Sequence, residues 1–313
     1  MTPEETWLVV GSSTGIGRGV VDAIAASHGR VIATARRPET VADVAEAHPE
    51  RALAVALDVL DPGSVDAAIE AGLERFGRID RLVHCAGTGL VGSVEEASTA
   101  EVERVFATNM YGVLNVLDRV VPLMREQREG RLGVVTSQGA FQGQRGCGVY
   151  CASKAATNAL CESLAAEVTP LGVYVTIIEP GLVDTNFHGA IAQAETRLPD
   201  YEATCGALRE AVKEDPPATA HSVHSAAAAI LTAMRSPHPP LNLPLGADAL
   251  HLIRHKLGFV GDELDRWEEV ALSVKSDTLD QVPEEDRGTL HWSGPLVSAE
   301  IAASVRADRR SCT

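Results

Sequence analysis

Residues 6–20 read "TWLVVGSSTGIGRGV", and this stretch narrows the choice of folds more than any other. Its first half is a short apolar run with the length and valine content of a buried strand. The run stops at Gly11. Gly15 and Gly17 then complete a G-x-x-x-G-x-G pattern that opens a helical stretch from about Gly15 to Ser27. Glycines at a strand-to-helix turn let the chain reverse tightly and let backbone N–H groups come close to an anion. The helix N-terminus adds partial positive charge at the same point. Such a turn also occurs with no ligand, so the pattern gains meaning only from the rest of the chain.

Beyond the turn, strands and helices alternate. Strand-like runs at 30–35, 52–59, 79–87, 131–137 and 172–180 are separated by helical patterns at 38–47, 61–77, 98–127 and 150–169. Asp61 and Pro62 read as the cap and first turn of the 61–77 helix. Near-continuous apolar strands separated by helices imply a parallel sheet covered on both faces. Right-handed crossovers then predict an α/β, Rossmann-like doubly wound sheet of about seven strands, with ligands at the strands' carboxyl ends. Residues 186–236 read as two helices broken at Pro216-Pro217, 236–246 as a loop entering a short strand, and 247–275 as helical. The expected organisation is one Rossmann-fold dinucleotide-binding and catalytic domain over 1–250, with 186–236 covering the substrate. A mainly helical C-terminal extension over 251–313 packs on or trails it.

In this context the glycine loop predicts a bound dinucleotide, its pyrophosphate at the helix N-terminus. An acidic residue at the end of the second strand would hold the ribose 2′-hydroxyl of NAD, but "ATARRPET" puts Arg36 and Arg37 there. Arginine pairs with a 2′-phosphate where a carboxylate repels it, so NADP(H) is expected in preference to NAD(H). Arg18 would add positive charge nearby.

Tyr150 and Lys154 lie four residues apart in "GVYCASKAATNAL". That is about 6 Å of helical rise, which places both on one face. With four tyrosines and four lysines in 313 residues, chance gives roughly 0.05 such pairs. Tyrosine ordinarily titrates near 10, and an adjacent ammonium is expected to lower that value. Ser137, at the end of the fifth strand, can hydrogen-bond a carbonyl oxygen there.

Together with the loop "GSSTGIG" (11–17), "LDV" (57–59), "CAG" (85–87), Asn109 in "ATNMYG", "VVTSQGA" around Ser137, "YCASK" (150–154) and "PGLVDT" (180–185), the chain resembles the short-chain dehydrogenase/reductase family in order and spacing. The resemblance covers about residues 1–190. It implies Tyr150 as general acid in reduction and base in oxidation. It implies that Lys154 lowers the tyrosine pKa and binds the nicotinamide ribose, and that Ser137 orients the substrate oxygen. Asn109 would anchor a water linking Lys154 to solvent, and Asp58 would accept from the adenine amino group. The cofactor would further touch Gly11, Ser13, Thr14, Gly15, Ile16, Gly17, Val59, Ala86 and Gly87, with Pro180, Gly181, Val183 and Thr185 on the nicotinamide side. Gln138, Phe141, Gln142, Leu182, Phe187 and His188 fall on segments that shape the family's substrate site. Two departures stand out: Val10 replaces the threonine before the first glycine, and His84-Cys85 replace the paired asparagines of the fourth strand. A repacked link between first and fourth strands is expected.

The bulk numbers narrow the partners. A net charge of −16 argues against nucleic acid and anionic membrane surfaces. No apolar run has the length of a membrane span, and no leader is read at the acidic N-terminus. Cys85, Cys147, Cys151, Cys161, Cys205 and Cys312 form no CxxC pair, so reduced cytoplasmic thiols are expected. His221 and His224 are read as helix-surface residues and no metal is expected. The expected protein is a cytoplasmic NADP(H)-dependent oxidoreductase, a homodimer or homotetramer. It would interconvert a ketone or aldehyde and an alcohol on a medium or large hydrophobic or secondary-metabolite substrate. The rivals are a tailoring ketoreductase of polyketide-type biosynthesis, a non-catalytic NADP-binding sensor or scaffold, and a same-fold epimerase or dehydratase.

Overall fold

The computed structural model describes residues 5–214 and 216–274, without the side chains of His188 and Ala190; the expectation for 276–313 lies outside them. In chain order the strands are β1 (Thr6–Val10), β2 (Arg30–Ala35), β3 (Ala52–Ala56), β4 (Arg81–His84), β5 (Leu90–Val91), β6 (Gly130–Val135), β7 (Val173–Pro180), β8 (Ala192–Gln193) and β9 (Asn242–Leu245). The helices are α1 (Gly15–Ala26), α2 (Ala42–Ala47), α3 (Pro62–Phe76), α4 (Thr99–Phe106), α5 (Gly112–Gln127), α6 (Gly148–Val168), α7 (Phe187–Ala190), α8 (Glu202–Ala211), α9 (Val223–Arg235) and α10 (Ala247–Leu272).

Seven strands form one sheet in the order β3-β2-β1-β4-β6-β7-β9, every neighbouring pair parallel. The chain builds outward from β1 to β3, then returns to the other side of β1 with β4. That reversal is the topological switch point where a doubly wound sheet holds its ligand. Strand alternation sorts the core into two layers. Leu8 and Val10 of β1 face one way, with Val113, Val116 and Val120 of α5. Trp7 and Val9 face the other, with Val20 and Ile24 of α1 and Ile230 of α9. Burying each large aliphatic side chain stabilises by about 1.5–3 kcal/mol, so both faces hold the sheet.

Three local departures have physical causes. The 98–127 helix is interrupted by a π turn at Ala107–Tyr111, which holds Asn109. The predicted 52–59 strand ends at Ala56, because Leu57, Asp58 and Val59 leave the sheet for the cavity wall. The 186–236 region is not two helices. It contains α7, α8, α9 and the two-residue β8, which pairs in parallel with β5; strands this short carry no readable periodicity. Asp61 does cap α3, its carboxylate accepting from Gly63 N at 2.9 Å. By contacts the chain divides into Met1–Leu250 and His251–Thr313. None of the described helices is long and apolar enough to cross a membrane.

Candidate active site

A cavity of about 620 Å³ opens at the carboxyl ends of β1, β4 and β6, lined by the glycine loop on one side and by Ser137, Tyr150 and Lys154 on the other. The loop is built for close approach. Gly11 and Gly15 have φ of +78° and +58°, a region in which only glycine sits without strain. A Cβ on Gly11 would lie 2.7 Å from Ala86 N, and one on Gly17 would lie 2.2 Å from Gly11 O. The start of α1 carries no side-chain cap and no acidic residue in its first turn. Its first N–H groups therefore have no side-chain acceptor, and the helix dipole is not offset there. This cradle fits a pyrophosphate.

Arg36 and Asp58 line the far end of the same cavity, and so do Arg104 and Thr108 of the α4 segment. The lining also includes Ser13, Thr14, Ile16, Val59, Ala86, Gly87, Pro180, Gly181, Val183 and Thr185. Arg37 does not line it. Nor does Arg18 act as a free positive charge, because it pairs with Asp22 at 2.9 Å and Asp43 at 2.5 Å. Asp58 is positioned by Leu60 N, which donates to its Oδ1 at 3.0 Å, and by Ser64, whose Oγ accepts from Asp58 N at 3.0 Å.

At the other end, Ser137 caps a short turn, its Oγ accepting from Gly139 N at 3.0 Å. Lys154 donates to Val135 O at 3.0 Å, with its Nζ 5.9 Å from the Tyr150 ring centre. Burial pushes the Tyr150 phenol up to about 12, opposed by a hydrogen bond with Ser137. Burial pulls Lys154 down to about 8. The expected lowering of the phenol by the lysine is therefore not seen for the protein alone: burial sets the direction, and the ammonium points at a carbonyl.

Asn109 does not line the cavity. Its side chain is spent behind it, accepting from Thr88 N at 2.8 Å and donating to Thr88 O and Ser153 Oγ, each at 2.9 Å. Its main-chain carbonyl accepts from Thr157 Oγ1 at 2.9 Å. Gly87 completes this corner: a Cβ there would sit 3.3 Å from both Asn109 Oδ1 and Lys154 Nζ. Val10 and His84 are partners across the β1–β4 ladder, and both are buried. Burial, then the Lys154 charge, lowers His84 to about 3, so the imidazole is neutral.

Of the substrate-side candidates, Phe187 lines the cavity, its ring centre 6.0 Å from that of Tyr150. Gln138, Phe141, Gln142 and Leu182 do not line it, and the His188 side chain lies outside what is described. Three features were missed by the sequence reading. His221 is no helix-surface residue, although His224 is exposed on α9. His221 Nε2 meets Asp248 Oδ1 at 2.7 Å, and Asp248 Oδ2 accepts from Leu182 N at 2.8 Å. Backbone bonds from His221 N to Leu182 O and from Asp184 N to His221 O, each 2.8 Å, complete a brace under the 180–185 loop. Gly181 and Gly246 make room for it, since a Cβ on either would come within 2.2 Å of Asp248 or His221.

The second missed feature is a buried Arg209–Glu96 ion pair, with Glu96 also accepting from Ser93 N at 2.7 Å and Leu198 N at 2.8 Å. The third is Glu179, wholly buried beside Pro180. Burial pushes its carboxyl up to about 8, opposed by Asn158, whose Nδ2 lies 3.4 Å from Glu179 Oε1. Among the described residues no group of three or more His, Cys, Asp or Glu side chains is placed to hold a metal ion.

Comparison with known proteins agrees with this geometry. The family model described as short chain dehydrogenase matches residues 5–196. An oxidoreductase, calM, of Penicillium decumbens is 34% identical over 287 residues, covering 87% of this chain and 93% of that protein. Human 17-beta-hydroxysteroid dehydrogenase type 1 is 33% identical over 270 residues, covering 80% of each. The crystal structure of a short-chain dehydrogenase from Streptomyces avermitilis superposes with a TM-score of 0.81 at 36% identity, covering 88% of this chain and 100% of that one.

Proposed function

This chain belongs to the short-chain dehydrogenase/reductase family of oxidoreductases, and from that premise we propose an NADP(H)-dependent enzyme interconverting a ketone or aldehyde and an alcohol. One observation carries the reading. Ser137, Tyr150 and Lys154 line the same cavity as the glycine cradle and Arg36, so one ligand lying along it would reach from phosphate donors to a proton donor. Bound there, the dinucleotide supplies or accepts the hydride. The chain's own residues do the rest. Gly11 to Gly17 and the α1 N-terminus hold the pyrophosphate. Arg36 pairs with the 2′-phosphate, and Asp58 takes the adenine side. Ser137 holds the substrate oxygen, and Tyr150 Oη gives it a proton during reduction.

The titration directions suit reduction. A phenol held at about 12 is fully protonated at neutral pH and ready to act as the acid. A lysine at about 8 is charged below that pH and loses its charge above it, so reductive turnover should fall as pH rises past about 8. Phe187 against Tyr150 gives the site an apolar wall suited to a bulky substrate. The relationship to a protein named for 17-beta-hydroxysteroids supports the same class.

The test is consumption of NADPH over a panel of bulky ketones and aldehydes, with NADH in parallel. We expect one NADPH oxidised per alcohol formed. Tight NADPH binding with no turnover on any carbonyl would instead favour a sensor or scaffold, and a tightly held cofactor with no net redox change an epimerase or dehydratase.

A further inference from the structure

Residues 181–186 connect β7 to α7, and Gly181, Val183 and Thr185 among them line the cavity. A connection of this kind is ordinarily mobile, because its backbone groups have no ladder to join. Here they are taken up one after another. Gly181 N donates to Leu245 O at 2.9 Å, and Leu182 N donates to Asp248 Oδ2 at 2.8 Å. Leu182 O accepts from His221 N and Asp184 N donates to His221 O, each at 2.8 Å. The His221 ring holds the other Asp248 oxygen at 2.7 Å.

The supports of this brace are themselves fixed. His221 leads into α9, which rests on α1: a Cβ on Gly19 would lie 2.3 Å from Val223 Cγ1. The first turn of α1 is the pyrophosphate cradle. Asp248 stands in the first turn of α10, where a carboxylate suits the helix dipole. Gly246, at φ +102°, makes the turn from β9. Both residues belong to the unit Met1–Leu250.

What the brace holds reaches both ends of the chemistry. Just past it, Thr185 lies against the glycine loop, 3.3 Å from a Cβ on Gly15. Thr185 Oγ1 also accepts from Phe187 N at 3.3 Å, and the Phe187 ring faces Tyr150 at 6.0 Å. A shift of residues 181–184 therefore displaces a neighbour of the cradle and a neighbour of the proton donor together.

None of this needs the charge of Asp248. One oxygen accepts from an N–H and the other meets a ring nitrogen. Asparagine keeps both bonds, with its oxygen accepting from Leu182 N and its amide donating to an unprotonated His221 Nε2. Alanine keeps neither.

We propose that His221 and Asp248 are positioning residues for the reaction, acting through hydrogen bonds that hold residues 181–184 against the nicotinamide half of the cofactor. The role rests on the NADP(H) reading, and binding measured without turnover separates the two.

The full chain is compared with Asp248→Ala, Asp248→Asn and His221→Ala. Affinity is measured for NADPH and for adenosine 2′,5′-bisphosphate, which carries the adenosine half without the nicotinamide. Asp248→Ala is expected to weaken NADPH by about tenfold, the order of one lost charged hydrogen bond. The bisphosphate should stay within about threefold. With a carbonyl substrate, kcat should fall by at least about tenfold while the carbonyl KM stays within about threefold. Asp248→Asn should remain within about threefold of the wild type throughout. His221→Ala keeps the Leu182–Asp248 bond and should lie between. Amide exchange at Leu182 in the cofactor-free chain should quicken in the same order.

An Asp248→Asn variant as impaired as Asp248→Ala would overturn the proposal in favour of charge. Equal losses of NADPH and bisphosphate affinity would overturn it in favour of a general structural role. So would faster exchange at Leu182 with NADPH affinity and kcat unchanged. If Asp248→Ala fails to fold, a His221→Ala variant with wild-type NADPH affinity and kcat overturns it equally. A wild type that binds NADPH but turns over no carbonyl defeats the enzyme reading alone, and the ratio of NADPH to bisphosphate affinity still reads the brace. A wild type that binds neither defeats both.

Discussion

The glycine loop of the cavity and the 186–214 segment, from which Asn186 and Phe187 reach the lining, are held by different means. The cofactor cradle is a matter of backbone. Two left-handed glycines, an uncapped helix start and a Gly17 that touches Gly11 O leave little for side chains to decide. The 186–214 segment depends on side chains far apart in sequence. Arg209 reaches back 113 residues to Glu96, and Glu101 accepts from Glu195 N at 3.0 Å across 94 residues. The cradle is thus specified by local residue types that tolerate no Cβ. The 186–214 segment is specified by a few long-range partners, among them one buried ion pair and one carboxylate on a backbone N–H.

The largest expected effect comes from breaking the anchor of the 186–214 segment. Arg209→Met leaves Glu96 buried without its cation, and removing one partner of a buried pair costs about 3–5 kcal/mol. Chemical denaturation should show that loss, while NADPH binding by the remaining cradle changes by less than about threefold. An equal loss of cofactor affinity would mean the two regions are one cooperative unit. Gly17→Ala is the converse. Its Cβ would press on Gly11 O at 2.2 Å, and overpacking of this kind costs about 1–3 kcal/mol. Here NADPH affinity measured by fluorescence should fall at least tenfold.

The same division explains what could be read in advance. Six strands, the glycine turn, the Asp61 cap and the Tyr150–Lys154 spacing are short-range patterns, and each is present. The π turn at Asn109, the β5–β8 pairing, the His221–Asp248 brace and the Arg209–Glu96 pair were not legible, because each depends on which distant segments meet. The tyrosine's titration was misjudged for the same reason: charge proximity shows in the spacing of residues 150 and 154, but burial does not.

Smaller effects test single side chains. Arg36→Asp replaces a partner for a 2′-phosphate with a repelling carboxylate. It should shift the kcat/KM ratio of NADPH to NADH by about 10–100-fold towards NADH, the order of one charge-assisted contact. An unchanged ratio would remove Arg36 from cofactor choice. Glu179 gives the smallest signal. It keeps its proton to about pH 8 when folded and releases it near 4.5 when unfolded, so its contribution to stability is full below 4.5 and is lost as pH rises to about 8. The buried, neutral His84, held at about 3, has the opposite sign below about pH 6.5. The clean window is therefore pH 6.5–8. There the wild type should lose up to about 1.4 kcal/mol per pH unit more than Glu179→Gln. Parallel stability profiles for the two would place the Glu179 carboxyl in an ordinary titration range.

The central claim is that the phenol of Tyr150 moves the proton while the rest of the cavity binds the cofactor, and Tyr150→Phe separates the two. Carbonyl-dependent NADPH oxidation, measured with NADPH affinity on the same preparation, should fall by about 10²–10⁴-fold with affinity kept within a few-fold. Turnover within a few-fold of the wild type would contradict the account and move the acid to another residue.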